Sequence, residues 1–168
     1  MKNHLTASDQ FFAFLKINGI KSHTIKHKAV FTMGEGENIF STLEGAHSKS
    51  LFLKTRNKEL LLVVVVGTKK LNLNVLEKKL GVSRLSFGSG ELMEQTLGVT
   101  PGTASPFCFI NESAKDVKLI IDKELTKFDL VNFHPLSNEM TTTMSTSDFF
   151  LFLDKVTATP LVMEIPTK

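Results

Sequence analysis

The sequence predicts one domain of the α/β (α+β) class, a mixed and largely antiparallel sheet packed with helices, and three observations predict it. Residues 49–54, Lys-Ser-Leu-Phe-Leu-Lys, and residues 59–66, Glu-Leu-Leu-Leu-Val-Val-Val-Val, flank a short polar segment and read as a β-hairpin. Amphipathic segments bracketed by cap residues stand on both sides of that hairpin. No repeat, low-complexity tract or linker divides the 168 residues, so residues 1–168 are read as one unit with a sizeable core.

Each element has its own reason. In residues 6–17, Phe11, Phe12, Leu15 and Ile17 form an apolar stripe, Thr6 and Asp9 stand as a capping box, and Gly19 stops the helix. Residues 22–28 alternate weakly, as a strand does. Residues 31–43 are polar with scattered apolar positions and two glycines, which leaves a short helix and a flap both open. The second hairpin strand is apolar on both faces, as a central strand should be. Asn72 caps a helix carrying Leu73, Leu76 and Leu80, with Gly81 after it, and a short strand follows at 84–87. Ser89 caps a helix over 90–97. Residues 107–110, 117–121 and 128–133 read as successive strands of an antiparallel meander, with a turn at 111–114. The threonine-rich 140–144 is a further strand. Ser145 and Asp148 form a second capping box before Phe149, Phe150, Leu153 and Val156, and 161–165 returns as an edge strand.

Composition narrows the function. Twenty basic against seventeen acidic residues give a net charge of +3, which permits a polyanionic partner without specifying one. The single cysteine, Cys108, rules out an intramolecular disulfide framework and fits a reducing compartment; set in an apolar run, it reads as a core filler. The longest aliphatic run, 60–66, is too short to span a bilayer, so no membrane partner and a cytoplasmic location are expected. The spacing of His4, His23, His27 and His47 does not favour a metal site, and no cofactor is expected. With no Tyr or Trp, any aromatic wall must use the 14 Phe residues.

The loop at 98–107, Gly-Val-Thr-Pro-Gly-Thr-Ala-Ser-Pro-Phe, can neither continue a helix nor sit in a central strand. It reads either as a structural turn or as a rigid loop whose backbone N–H groups face a carbonyl or oxyanion. Lys49 shares its strand face with Leu51 and Leu53, and is either an edge residue or a charge directed into a pocket. Lys54, Arg56, Lys58, Lys69 and Lys70 are a basic set that could receive an RNA backbone or simply be solvated.

Three separated motifs, Ala46-His47-Ser48-Lys49-Ser50-Leu51-Phe52-Leu53-Lys54, Gly102-Thr103-Ala104-Ser105-Pro106-Phe107 and Phe133-His134-Pro135-Leu136 with Asn138, resemble in order and spacing the YbaK/ProX family of aminoacyl-tRNA deacylases. These are related to the editing domain of bacterial prolyl-tRNA synthetases, and the likeness is greatest to the free-standing ProX branch. It implies a β-barrel-like sheet surrounded by helices. It also implies a catalytic set of Lys49, Gly102 and His134. Lys49 would hold the tRNA end or orient the ester, the loop backbone would position the substrate carbonyl, and His134 would shape the pocket. Phe31, Ser50, Thr103, Ala104, Ser105, Pro106 and Asn138 would contact substrate. The implied partners are aminoacylated tRNA for proline and prolyl-tRNA synthetase, with no metal. Water activation falls to the substrate's own ribose hydroxyl, consistent with the lack of an evident Ser-His-Asp or Cys-His set.

The chain departs from the pattern at Ser48 and Ser50, where the family has Cys and Asn, at Glu139 beside Asn138, and at Lys28-Ala29, where it has Pro-Pro. Three functions therefore stay open: removal of alanine from tRNA for proline, removal of cysteine or another small amino acid, and a non-catalytic tRNA-binding module of the same fold.

Overall fold

The computed structural model describes residues 5–29 and 41–168. The predicted helix or flap at 31–43 and the substrate contact expected of Phe31 fall mainly or wholly outside the described residues. The first helix, α1 (Ala7–Ile17), begins where Thr6 Oγ1 accepts from the Asp9 N–H at 3.0 Å and the Asp9 carboxylate accepts from the Thr6 N–H at 3.2 Å, the expected capping box. Its stripe buries Phe11 and Leu15, and the Phe11 ring stacks on Phe107 at 4.1 Å.

Strand β1 (His23–Lys26) precedes the hairpin of β2 (Ala46–Lys54) and β3 (Leu60–Val66), which pairs antiparallel from Ser48↔Val66 to Lys54↔Leu60. Helix α2 (Leu73–Leu80) starts at Asn72, whose side chain accepts from the Val75 N–H, and ends at Gly81. Only Leu76 of its stripe is fully buried, with Leu73 and Leu80 packed around it. Strand β4 (Ser86–Phe87) leads to α3 (Gly90–Leu97), capped by Ser89, and the chain later ends its helices with α4 (Thr146–Lys155), capped by Ser145.

Strands β5 (Lys118–Asp122), β6 (Leu130–Phe133), β7 (Met140–Ser145) and β8 (Leu161–Met163) complete an eight-stranded mixed sheet. Its order is β1-β7-β6-β2-β3-β5-β8, with β4 paired to β2 off that path. Four pairings are antiparallel, while β2–β6, β3–β5 and β5–β8 are parallel. Among the described residues β1 and β8 do not pair with each other, so the implied barrel-like sheet is open rather than closed.

Two expectations are corrected. Residues 107–110 are not a strand: Pro106–Ile110 is a 3₁₀ turn, opened by Ser105, whose hydroxyl accepts from the Phe107 N–H, and by a proline whose φ suits a helical start. A short apolar run buried on all sides has no period that separates strand from buried helix. Nor do the later strands form a meander. β5 is buried from Leu119 to Asp122 and lies between β3 and β8, parallel to both, whereas β6 joins the other half of the sheet. Of the three predicted neighbours, only β6 enters a hairpin, and its partner is β7.

The core has two parts. On one face Phe11, Phe52, Phe107, Phe133, Phe149 and Phe152 pack with aliphatic side chains from α1, α3 and α4. On the other face α2 covers Leu53, Leu61, Val63, Val65 and Ile120. Burial of the phenylalanines contributes on the order of 2–3 kcal/mol each.

A buried carboxylate ties the two halves of the β3–β5 pair together at one end. Asp122, fully buried, accepts from the Val66 N–H at 3.3 Å, the Glu124 N–H at 3.1 Å and the Lys69 ammonium at 2.8 Å. Removing one partner of such a buried pair leaves the other desolvated and unmatched. Asp122→Ala is therefore expected to lower the unfolding free energy by about 3 kcal/mol in urea titration with little change in the denaturant slope.

Candidate active site at a gap in the sheet

Strand β2 has more neighbours than it can pair continuously. One edge runs along β3 for seven residues. The other meets β6 at Ala46↔Val131 and His47↔Asn132, then β4 at Leu53↔Phe87 and Lys54↔Ser86. Between those ladders, among the described residues, Lys49, Ser50 and Leu51 face no strand. The main-chain directions follow from the flanking bonds. Gly67 N–H donates to His47 O on the β3 side at 2.8 Å, while Ala46 O and Phe52 O accept from Asn132 Nδ2 and Gly88 N–H on the opposite side. Alternation along the strand turns the Ser50 N–H and C=O toward the gap.

Side chains alternate across the same strand. Lys49 lies on the face of Leu51 and Leu53, and Ser50 on that of Phe52, so the two predicted residues border the gap from opposite faces. His134 follows β6 directly. It stands two residues beyond Asn132, as Lys49 stands two residues beyond His47, so the two hold equivalent positions, with the same side-chain parity, just past the end of the β2–β6 ladder. Both residues are partly buried.

His134 is held on several sides. Its Nδ1–H donates to Met140 O at 2.9 Å, which leaves Nε2 as the free acceptor of the neutral ring. Burial depresses its pKa; the Met140 bond opposes this, and the charge of His27 adds to the depression. The His27 ring centroid is 6.2 Å away, with Nε2 2.8 Å from Thr141 Oγ1. Beyond the histidine, Ser8 Oγ donates to Pro135 O at 2.6 Å, which pins the turn to the start of α1. Asn138 is half-buried in this turn, and the Glu139 main chain receives the His27 N–H while its side chain is exposed.

The loop approaches from the other face. Gly102 sits at φ 88°, where a Cβ is strongly disfavoured, and Thr103 is folded back on Thr100 by two bonds to its carbonyl. Ala104 packs on the phenylalanine core, and Ser105 and Pro106 are buried. The anchor is Phe107, whose ring meets Phe133 edge-on at 5.3 Å. Since Phe133 precedes His134, the loop is fixed next to the end of β6. The structure thus places Lys49 and His134 at equivalent positions past the β2–β6 ladder and the loop beside the β6 terminus, with the phenylalanine core between the loop and the strand.

Asn132 was not foreseen in the sequence as a site residue. Its Nδ2 donates to Glu44 O at 2.8 Å and Ala46 O at 3.2 Å, its Oδ1 accepts from Thr143 Oγ1, and its carbonyl accepts from Ser48 Oγ at 2.8 Å. It locks β2 to β6 just below Lys49 and His134. The signal available was a lone amide in the apolar run Leu130-Val131-Asn132-Phe133. Gly45 assists at the same junction, since a Cβ there would fall against the Leu130 carbonyl. Cys108 is a core filler, its thiol fully buried and pushed up to about 12 by burial, which excludes a thiolate at neutral pH. Among the described residues no group of three His, Cys, Asp or Glu side chains could hold a metal ion, and no helix is long and apolar enough to cross a membrane.

The three motifs are thus set in an open mixed sheet packed with helices. Residues 27–152 match the model of the family described as the aminoacyl-tRNA editing domain, and the chain belongs to that family, as the three motifs led us to expect. It is 34% identical over 149 residues to the mouse (Mus musculus) prolyl-tRNA synthetase associated domain-containing protein 1, covering 86% of this chain and 88% of that one. It is 33% identical over 125 residues to the prolyl-tRNA editing protein ProX of Acetoanaerobium sticklandii, covering 74% and 76%. In fold it is similar to a crystal structure of a candidate trans-editing enzyme for prolyl tRNA synthetase, with a TM-score of 0.73 at 15% identity over 98% of this chain and all of that one.

The depressed pKa of His134 gives a pH dependence with a definite sign. Above the ordinary value of 6.5 the ring is neutral in both folded and unfolded chains and contributes nothing. As pH falls through 6.5 the unfolded chain takes up the proton first, so stability declines until the folded pKa is also passed. Thermal unfolding of wild type against His134→Gln from neutral pH to about pH 5 should show a shallower decline in the variant; parallel curves would show that His134 is not held neutral by its surroundings.

Proposed function

We propose that this protein is a trans-editing deacylase that hydrolyses the ester of mischarged tRNA for proline, with alanine as the amino acid removed, in the cytoplasm. The observation that carries the reading is the gap in the sheet beside Lys49 and Ser50, in a chain that belongs to the aminoacyl-tRNA editing family. The prolyl-tRNA association in the names of the mouse and A. sticklandii relatives supports the choice of tRNA.

In this reading the 3′-terminal aminoacyl-adenosine enters the gap. Water attacks the ester carbonyl carbon, the bond from that carbon to the ribose oxygen breaks, and the ribose oxygen takes a proton. Free amino acid and tRNA with an intact terminal hydroxyl leave. An aminoacyl ester is already activated, so orientation and fixed dipoles suffice without a covalent nucleophile. Lys49 supplies positive charge beside the tRNA end, and backbone N–H groups of residues 102–106 hold the carbonyl. The neutral His134 offers an acceptor at Nε2 to a ribose hydroxyl, whose own oxygen orders the attacking water. Alanine is distinguished from proline by exclusion, because a site closed to the larger ring rejects it more sharply than added contacts could favour a methyl.

Ser50 bears on the departure from the family pattern. Its main chain is directed toward the gap, so a contact made through the backbone survives the change from Asn, whereas one made by the amide does not. A binding module without catalysis and a deacylase for cysteinyl or another small aminoacyl ester are the competing outcomes of one assay.

That assay is ester loss across a panel of aminoacyl-tRNAs. Purified protein should clear alanyl-tRNA for proline fastest, with Lys49→Ala reducing kcat/KM by about 100-fold. Binding without hydrolysis anywhere on the panel would reject the enzyme reading, and faster loss of cysteine would reassign the substrate. Gly102→Val should abolish deacylation with the far-ultraviolet circular dichroism unchanged, since a β-branched residue at this φ costs about 1–2 kcal/mol locally. Wild-type turnover by that variant would remove the loop from the site.

A further inference from the structure

Lys69 and Lys70 are adjacent in sequence and alike in type, but the fold separates them. The segment after β3 is a tight turn in which Gly67 N–H donates to His47 O at 2.8 Å and Lys69 N–H to Val66 O at 3.0 Å. It folds over the part of β2 that leads to Lys49, itself paired with Val65. The far side of the turn is fastened by the C-terminal residues: Lys168 N–H donates to Lys70 O at 3.0 Å, Asn72 N–H to Pro166 O at 2.9 Å, and Leu71 bridges Thr167. The backbone at Lys70 therefore has little freedom.

The two ammonium groups meet different surroundings. That of Lys69 is held by Asp122 at 2.8 Å and Glu124 at 2.7 Å and is neutralised within the fold. Lys70 is exposed and Lys49 partly buried, and neither makes an ion pair among the described residues. The turn carries Lys70 back past the β2 segment that leads to Lys49, and after burial the charge of Lys70 is the second cause of the lowered pKa of Lys49. Two like charges held together without a carboxylate disfavour the empty state and are relieved by an anion between them. Asp122 and Glu124 are committed to Lys69, which is thereby neutralised.

We propose that Lys49 and Lys70 form a two-lysine clamp for a phosphodiester at the 3′ end of the RNA substrate, with Lys69 kept out of it by Asp122 and Glu124. The proposal rests on the deacylase reading and deepens it by dividing the work. The gap recognises the ester and ribose, while the clamp recognises the phosphate backbone and sets the depth of entry. It also narrows the basic set seen in the sequence, in which Lys69 and Lys70 were equivalent.

The test compares charged RNA with a substrate that lacks phosphate. With alanyl-tRNA for proline, Lys70→Ala should lower kcat/KM about tenfold, the loss falling on KM, and Lys70→Arg should recover most of it. With the 3′-alanyl ester of adenosine, which carries no phosphate, Lys70→Ala should match wild type. In fluorescence anisotropy with uncharged tRNA, Lys70→Ala should also reduce the slope of log affinity against log salt by about 0.7, the value for one single-stranded phosphate, while Lys69→Gln should keep the wild-type slope. Equal losses on both ester substrates, or no loss on either, would overturn the clamp. So would a Lys69→Gln slope matching that of Lys70→Ala. If wild type hydrolyses neither ester, the deacylase reading fails, and the anisotropy alone decides the clamp, which a wild-type slope in Lys70→Ala would refute.

Discussion

A strand edge can offer its hydrogen bonds to one neighbour at a time, and the architecture turns on how β2 divides its second edge. By pairing with β6 for two residues and then with β4 for two, it leaves an interval between the ladders. Unpaired main-chain groups in a buried sheet are costly and must find a partner. An interval such as this is tolerable where a ligand supplies the partner, and Lys49, Ser50 and Leu51 span it. Asn132 sets where the interval begins, because its three hydrogen bonds to Glu44, Ala46 and Ser48 stop β6 from sliding along β2.

The two faces of the sheet differ in a way that assigns them tasks. One is covered throughout by phenylalanines and aliphatic side chains. The other is closed over by apolar side chains beneath α2, on the β2–β3–β5 half. On the β1–β7–β6 half that same face carries His23, His27, Thr141, Thr143, Asn132 and His134, as cross-strand register requires. Lys49 stands where the apolar half gives way to the polar half. A charged group at such a boundary keeps its stem against aliphatic neighbours and its ammonium near polar ones, which suits an RNA end better than a buried or a fully solvated position would.

Local signals were legible in the sequence to the extent that their physics is local. The capping residues Thr6, Asn72, Ser89 and Ser145 all start helices where expected, and the hairpin has the predicted partners, because caps and short turns depend on a few neighbouring residues. Residues 106–110 and the parallel placement of β5 were not legible. A Phe-Cys-Phe run has no periodicity once it is buried all round, and the partner of an apolar strand is chosen by distant segments. For the site, Lys49, Gly102 and His134 were named from motifs, but their relation through the gap required the register of β2 against β6. The distinction between Lys69 and Lys70 was invisible, since it lies in Asp122, more than fifty positions away along the chain.

The short parallel ladder between β2 and β6 also carries a kinetic meaning. It joins Ala46 to Val131 and His47 to Asn132, so loop closure over about half of the chain must precede it, and only two residue pairs reward that closure. During synthesis the β2–β3 hairpin can form early, yet the ladder that sets Lys49 and His134 at equivalent positions waits until β6 has emerged and docked. A partly made chain would therefore carry the basic hairpin without the assembled rim. The junction that Asn132 locks is therefore completed late, after the hairpin.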